Sequence, residues 1–201
     1  MWYTFIRVLI GLILCIITII WMKKYKLIKK KVTVIVTVLI FMIVTTLSYF
    51  APVENLFVSF SSPQEVFQYS TIGTILDVVE GNDSAMIMYK NSAISQTFIP
   101  RNEKGWKIGT SISQEQVVST LVSPYYICIY HVKNTNDFYV IVDEAYAEKK
   151  RQVEDNKNSY FQCIENKTLN SYHYKYYSYV ENIDSSYRIR INGEDIAIIK
   201  S

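Results

Sequence analysis

Thr74-Ile-Leu-Asp-Val-Val-Glu80, then Gly81-Asn82-Asp83, then Ser84-Ala-Met-Ile-Met-Tyr-Lys90: this stretch decides the fold class of the larger part of the chain. Two runs rich in β-branched and aromatic residues flank three residues that favour a turn, so it reads as two antiparallel strands. The same reading repeats outward. Strands are predicted at Ala93 to Ile99 and Trp106 to Ile108, at Tyr125 to Val132 and Phe138 to Asp143, and at Tyr160 to Glu165 and Ser171 to Tyr179. The last pair, Tyr187 to Ile191 and Asp195 to Lys200, is joined through Asn192-Gly193, residues that tolerate the positive φ of a type I′ turn. Glu144 to Asp155, EAYAEKKRQVED, is rich in charge and helix formers and reads as a polar loop that is partly helical. With about ten strands, the expected architecture is mainly β, an antiparallel meander, sandwich or open barrel.

One short helix precedes these strands. Ser62-Pro63-Gln64-Glu65 has the form of a capping box, and Val66, Phe67 and Tyr69 give the helix an apolar side before Ser70 to Gly73 break it.

Further upstream the composition changes. Residues 32–50, VTVIVTVLIFMIVTTLSYF, carry no charge, and at about 1.5 Å per residue a helix of this length matches a bilayer core. Residues 1–21 are as apolar except for Arg7, whose long side chain can reach the head groups. Two transmembrane helices, 1–21 and 32–51, are therefore expected, followed by an extracytoplasmic domain at 52–201. Between the helices, residues 22–31 hold Lys23, Lys24, Lys26, Lys29, Lys30 and Lys31. A short loop this basic faces the cytoplasm, which gives an integral plasma-membrane protein with both ends outside. Cleavage as a signal is not expected, because bulky Tyr49 sits where a small residue is needed before Ala51. Cys15 follows Leu12-Ile13-Leu14 rather than a small residue and reads as an apolar side chain rather than a lipid attachment point.

The charge is divided accordingly. Residues 1–53 contain seven of the 21 Lys+Arg and no acid, leaving 14 against all 18 Asp+Glu, so the front is +7 and the rest −4. A nucleic-acid binder built on general basicity is excluded. The lipid bilayer is the expected partner of the front, and a protein or envelope component that of the domain.

Chemistry is sparse. No G-x-S-x-G turn, phosphate loop or dinucleotide glycine pattern is present, so no catalytic residue and no cofactor is assigned, and an enzyme is not expected. Cys128 and His131 have a spacing a metal could use, but three apart on a strand they point to opposite faces, and no metal site is assigned. Cys128 and Cys163 are the domain's two cysteines, and an oxidising compartment would permit a bridge between them; two unrelated buried thiols are the alternative. Ser171 to Tyr179 places Tyr172, Tyr174 and Tyr176 on one strand face and Tyr177 and Tyr179 on the other. An exposed set would form a binding face, whereas tyrosine is also simply a good strand residue. Asn82-Asp-Ser84 and Asn166-Lys-Thr168 fit the glycosylation pattern, which matters only in a eukaryotic secretory route.

Ser62-Pro63-Gln64-Glu65-Val66-Phe67, Val78 to Ala85 and Gly105-Trp106-Lys107-Ile108 together resemble short extracytoplasmic domains of uncharacterised membrane-anchored proteins of Gram-positive bacteria. The resemblance implies a cell-surface location and a helix-then-β module, and it supplies no catalytic residues. The expected function is that of a membrane-anchored surface protein acting by binding. An accessory or immunity-type subunit of a membrane complex is an alternative, with Thr18, Thr33, Thr37, Thr45 and Thr46 as polar groups for a partner helix. An envelope hydrolase with a non-standard site is another, and it would need His131 and His173, or two carboxylates, to converge in one cleft.

Overall fold

The computed structural model describes residues 2–25, 34, 35, 37–39, 41, 42, 52–167 and 171–196, with the side chains of 2–8, 10, 12 and 53 left aside. The chain opens with α1 (Trp2–Lys24), which runs three residues beyond the expected span and takes in Lys23 and Lys24. Lysines suit a helix C-terminus, where the last carbonyls carry partial negative charge. The described residues among 34–42 are helical and pack antiparallel on α1. Thr37 Oγ1 lies 3.4 Å from Met22 Sδ, and a methyl group at Gly11 would stand 3.5 Å from the Phe41 ring. Among the described residues no helix is long and apolar enough to cross a membrane, so the two-span expectation draws no support from the helices as described. Lys26, Lys29, Lys30, Lys31, Thr33, Thr45 and Thr46 lie outside the described residues.

From residue 52 onward the protein is mainly β. A 3-10 turn (Val53–Leu56) leads to α2 (Pro63–Ser70). Ser62 caps α2 by accepting the Glu65 N–H at 3.2 Å, while the Glu65 carboxylate reaches one residue further back than a standard box, to the Ser61 N–H and hydroxyl at 3.0 and 2.8 Å. These bonds hold the Glu65 carboxyl below its usual range.

Twelve strands follow among the described residues, forming three antiparallel sheets. The first sheet has the order β1 (Thr74–Glu80), β2 (Ser84–Lys90), β3 (Ile94–Asn102) and β4 (Gly105–Trp106). The second has the order β5-β6-β7-β10-β9: β5 (Gln114–Val122), β6 (Tyr125–Val132), β7 (Asp137–Ala147), β10 (Tyr172–Glu181) and β9 (Gln162–Lys167). The small third sheet is β12 (Glu194–Ile196), β11 (Ile189–Ile191) and β8 (Val153–Asp155). Asn192 and Gly193 take φ of 51° and 86°, as the type I′ reading requires.

Packing stacks these elements into four layers. Val66 and Phe67 of α2 bury against Ala85, Ile87 and Ile99 on the outer face of the first sheet. Its inner face offers Met86, Met88 and Phe98 to Cys128, Tyr139, Ile141 and Tyr177 of the second. The opposite face of the second sheet, with Ile127, Val142, Tyr174 and Tyr176, is covered by Tyr187, Ile189 and Ile191.

Two expectations are corrected here. Glu144 to Asp155 is not helical: β7 runs on to Ala147, and β8 begins at Val153. Buried Glu144 is held by Arg151 Nε at 3.1 Å, and the Arg151 N–H donates to the Tyr176 hydroxyl at 2.6 Å, so tertiary bonds override the helical composition. The strand β5 was not expected at all.

Candidate functional site

Strand alternation assigns each side chain of the second sheet to a face. Register across β6, β7, β10 and β9 aligns Cys128, Ile141, Tyr177 and Gln162 in one row, and Ile127, Val142, Tyr176 and Cys163 in the next. Adjacent rows point to opposite faces. Cys128 therefore meets Met86 and Met88 on the first-sheet side, while Cys163 packs on the side covered by Tyr187. Three strand spacings, about 14 Å, separate β6 from β9, too far for a disulfide. The bridge between Cys128 and Cys163 is thus corrected to two free thiols, and burial pushes both thiol pKa values up.

The tyrosine binding face is corrected by the same layering. Tyr174, Tyr176 and Tyr177 are buried, and Tyr172 and Tyr179 are partly covered. Because β10 lies between β7 and β9 with a layer on each side, both sets belong to cores. Tyr172 and Tyr174 stack at 5.7 Å between ring centroids. The Tyr177 hydroxyl donates to Asp77 at 2.7 Å, tying the first sheet to the second.

At one end of the second sheet the first sheet stops short of covering this face. Leu121, 74% exposed, and Tyr126, 44% exposed, stand there with Ser119, whose hydroxyl lies 2.8 Å from the Tyr126 hydroxyl. Beside them on β7 and β10, Asp143 joins His173 Nε2 through one oxygen and Lys175 Nζ through the other, the latter at 3.3 Å. Lys175 Nζ also lies 3.5 Å from the carbonyl of Ile94, where β3 begins. The ledge combines a flat aromatic ring, an exposed aliphatic and a carboxylate with two basic partners, groups that suit a polypeptide or sugar surface. Sequence reasoning missed it because Leu121 lies on the unexpected β5, and nothing local to Asp143, the end of an expected strand, shows its partners on β10.

The ends of the strands face apart. The turns Asn82-Asp83, Arg101 to Lys104 and Asn134-Thr135 line an open polar cleft of about 690 Å³ at the end opposite the ledge. The chain enters the domain on that cleft side, because Phe60 pairs with Trp106, which in turn pairs with Arg101.

The two histidines named for a hydrolase, His131 and His173, do not converge, while Asp83 and Glu103 both line the open cleft. His131 stacks on Phe138 at 4.5 Å on the opposite face from His173, with Glu115 at 3.1 Å and the Thr135 carbonyl at 2.9 Å. Asp143 and Glu144 also point to opposite faces. Of the threonines proposed for a partner helix, Thr18 bonds its own Leu14 carbonyl at 2.7 Å, and Thr37 bonds within the hairpin. Comparisons with protein-family models, with curated proteins and with solved structures find no match for this chain.

Proposed function

We propose that the protein is a membrane-anchored surface protein whose β domain lies outside the cell and acts by binding a protein or envelope component through the ledge at Leu121, Tyr126 and Asp143. The observation that carries this reading is the exterior of α1. Leu9, Ile13, Leu14, Ile16, Ile17, Ile20 and Trp21 are all exposed, on the sides of the helix not turned towards residues 34–42. So many exposed apolar side chains are stable where their surroundings are apolar, and lipid would be such a surrounding. The uncharged run 32–50 and the lysine cluster argue for a second span and for an outward domain.

Entry of the chain on the cleft side favours the ledge as the free end. Alkaline carbonate extraction tests the anchor: the chain stays with the membrane, and its release into the supernatant would contradict the reading. A photoreactive residue at Tyr126 tests the binding face, capturing a partner in intact cells that the same residue at Asn192 does not. Equal capture at both positions would remove the ledge from the account.

A further inference from the structure

We infer that Leu56-Phe57-Val58 is a rigid foot by which the domain rests in the head-group layer of the bilayer. The inference rests on the membrane-anchored reading above and deepens it. These three residues are 74%, 86% and 41% exposed, the one run of three consecutive exposed large apolar side chains among the described residues from 52 onward. Exposed apolar clusters mark contact surfaces.

The foot is not a slack linker. The Phe57 and Val58 N–H groups both donate to the Glu54 carbonyl, at 3.0 and 2.7 Å. Asn55 holds Ile108 by two bonds, its side chain accepting the Ile108 N–H at 2.9 Å and donating to the Ile108 carbonyl at 3.0 Å. Lys107 is buried, and its ammonium uses three donors on three acceptors of this turn: the Asn55 carbonyl at 3.0 Å, the Val58 carbonyl at 2.8 Å and Ser59 Oγ at 2.8 Å. Phe60 then joins Trp106 through paired backbone bonds of 3.1 Å. A buried lysine spent on carbonyls fixes the turn with its apolar side chains outward, so little ordering remains to be done on contact.

The occupant follows from chain continuity. Leu56 stands six positions after Phe50, the last of the uncharged run, and at most about 3.6 Å per step keeps the foot within roughly 22 Å of the point where the chain would leave the lipid. Aromatic and aliphatic side chains at that depth sit in the interfacial layer. The foot would fix the tilt of the domain on the membrane and keep the ledge turned away from it.

The test uses the wild-type full chain in vesicles of phosphatidylcholine and phosphatidylglycerol carrying a photoreactive group near the acyl carbonyl, with adducts mapped by mass spectrometry. Adducts at 56–58 together with adducts in residues 1–50 are expected. Substituting Leu56 and Phe57 with Ser removes the former and leaves the latter. Adducts in 1–50 with none at 56–58 would overturn the foot and leave the anchor standing. A chain that neither floats with the vesicles nor takes any adduct would overturn the anchor itself.

Discussion

Ser84 Oγ and Asp137 Oδ2, 53 residues apart in sequence, lie 2.6 Å apart in a site from which solvent is excluded. Asp137 also accepts the Asp83 N–H at 2.8 Å, the Asn82 N–H at 3.3 Å and the Tyr179 hydroxyl at 3.0 Å, so one carboxylate pins the β1–β2 turn to the second sheet. Replacing Asp137 with Ala removes the acceptor of four donors at once, of which Ser84 keeps the Tyr139 hydroxyl at 2.9 Å. The expected loss is about 3–4 kcal/mol of unfolding free energy, read from urea unfolding followed by sheet circular dichroism. A loss below about 1 kcal/mol would show that the node does not hold the sheets together.

High pH should unfold the domain through its tyrosines. Burial pushes Tyr130 and Tyr176 up to about 12. It also raises Tyr139, Tyr177, Tyr179 and Tyr187, with the carboxylates of Asp77, Asp137 and Asp155 adding to the effect on Tyr177, Tyr179 and Tyr187 respectively. In the unfolded chain a phenol loses its proton near pH 10, where the folded chain still holds it. The unfolded state then binds fewer protons, so stability is complete below about pH 10 and falls as pH rises towards about 12. Phenolate absorbance from these six residues should appear together with loss of the sheet signal. Ionisation well before that loss would contradict their burial.

The sequence reading reached some elements to the residue and missed others for identifiable reasons. Thr74–Glu80, Ser84–Lys90 and Tyr125–Val132 were legible because turn residues bound β-branched runs on both sides. Gln114–Val122 was not, because it is an edge strand with only Val118 buried, and Gln114, Glu115 and Gln116 give it no apolar alternation. Glu144 looked like a solvated loop charge because nothing local shows that Arg151 folds back onto it. The Tyr172 to Tyr179 pattern was read correctly as two faces. That both faces are covered depends on sheets formed by residues far away in sequence, which alternation cannot reveal.

Oxidising conditions should not join the two cysteines of the β domain. Cys128 and Cys163 lie on opposite faces of one sheet, so protein recovered without reductant and then denatured is expected to show three reactive thiols with Cys15, and unchanged mobility on non-reducing gels. A band that shifts on reduction, with a single remaining thiol, would contradict the strand order β6-β7-β10-β9.

Lys107 should control the segment that leads into the β domain. Lys107→Met keeps an apolar stem and removes the three bonds to Asn55, Val58 and Ser59. Chymotryptic cleavage at Leu56 and Phe57 is expected to accelerate roughly tenfold or more while the sheet signal stays unchanged. Equal cleavage of both forms would mean that the lysine does not hold the turn.

Topology is the claim on which the functional account turns. An epitope tag placed after Ser201 and probed with antibody on intact and on permeabilised cells tests it directly. The account predicts equal labelling of both, with the β domain outside. Labelling only after permeabilisation would contradict it, and the ledge would then have to serve a cytoplasmic partner.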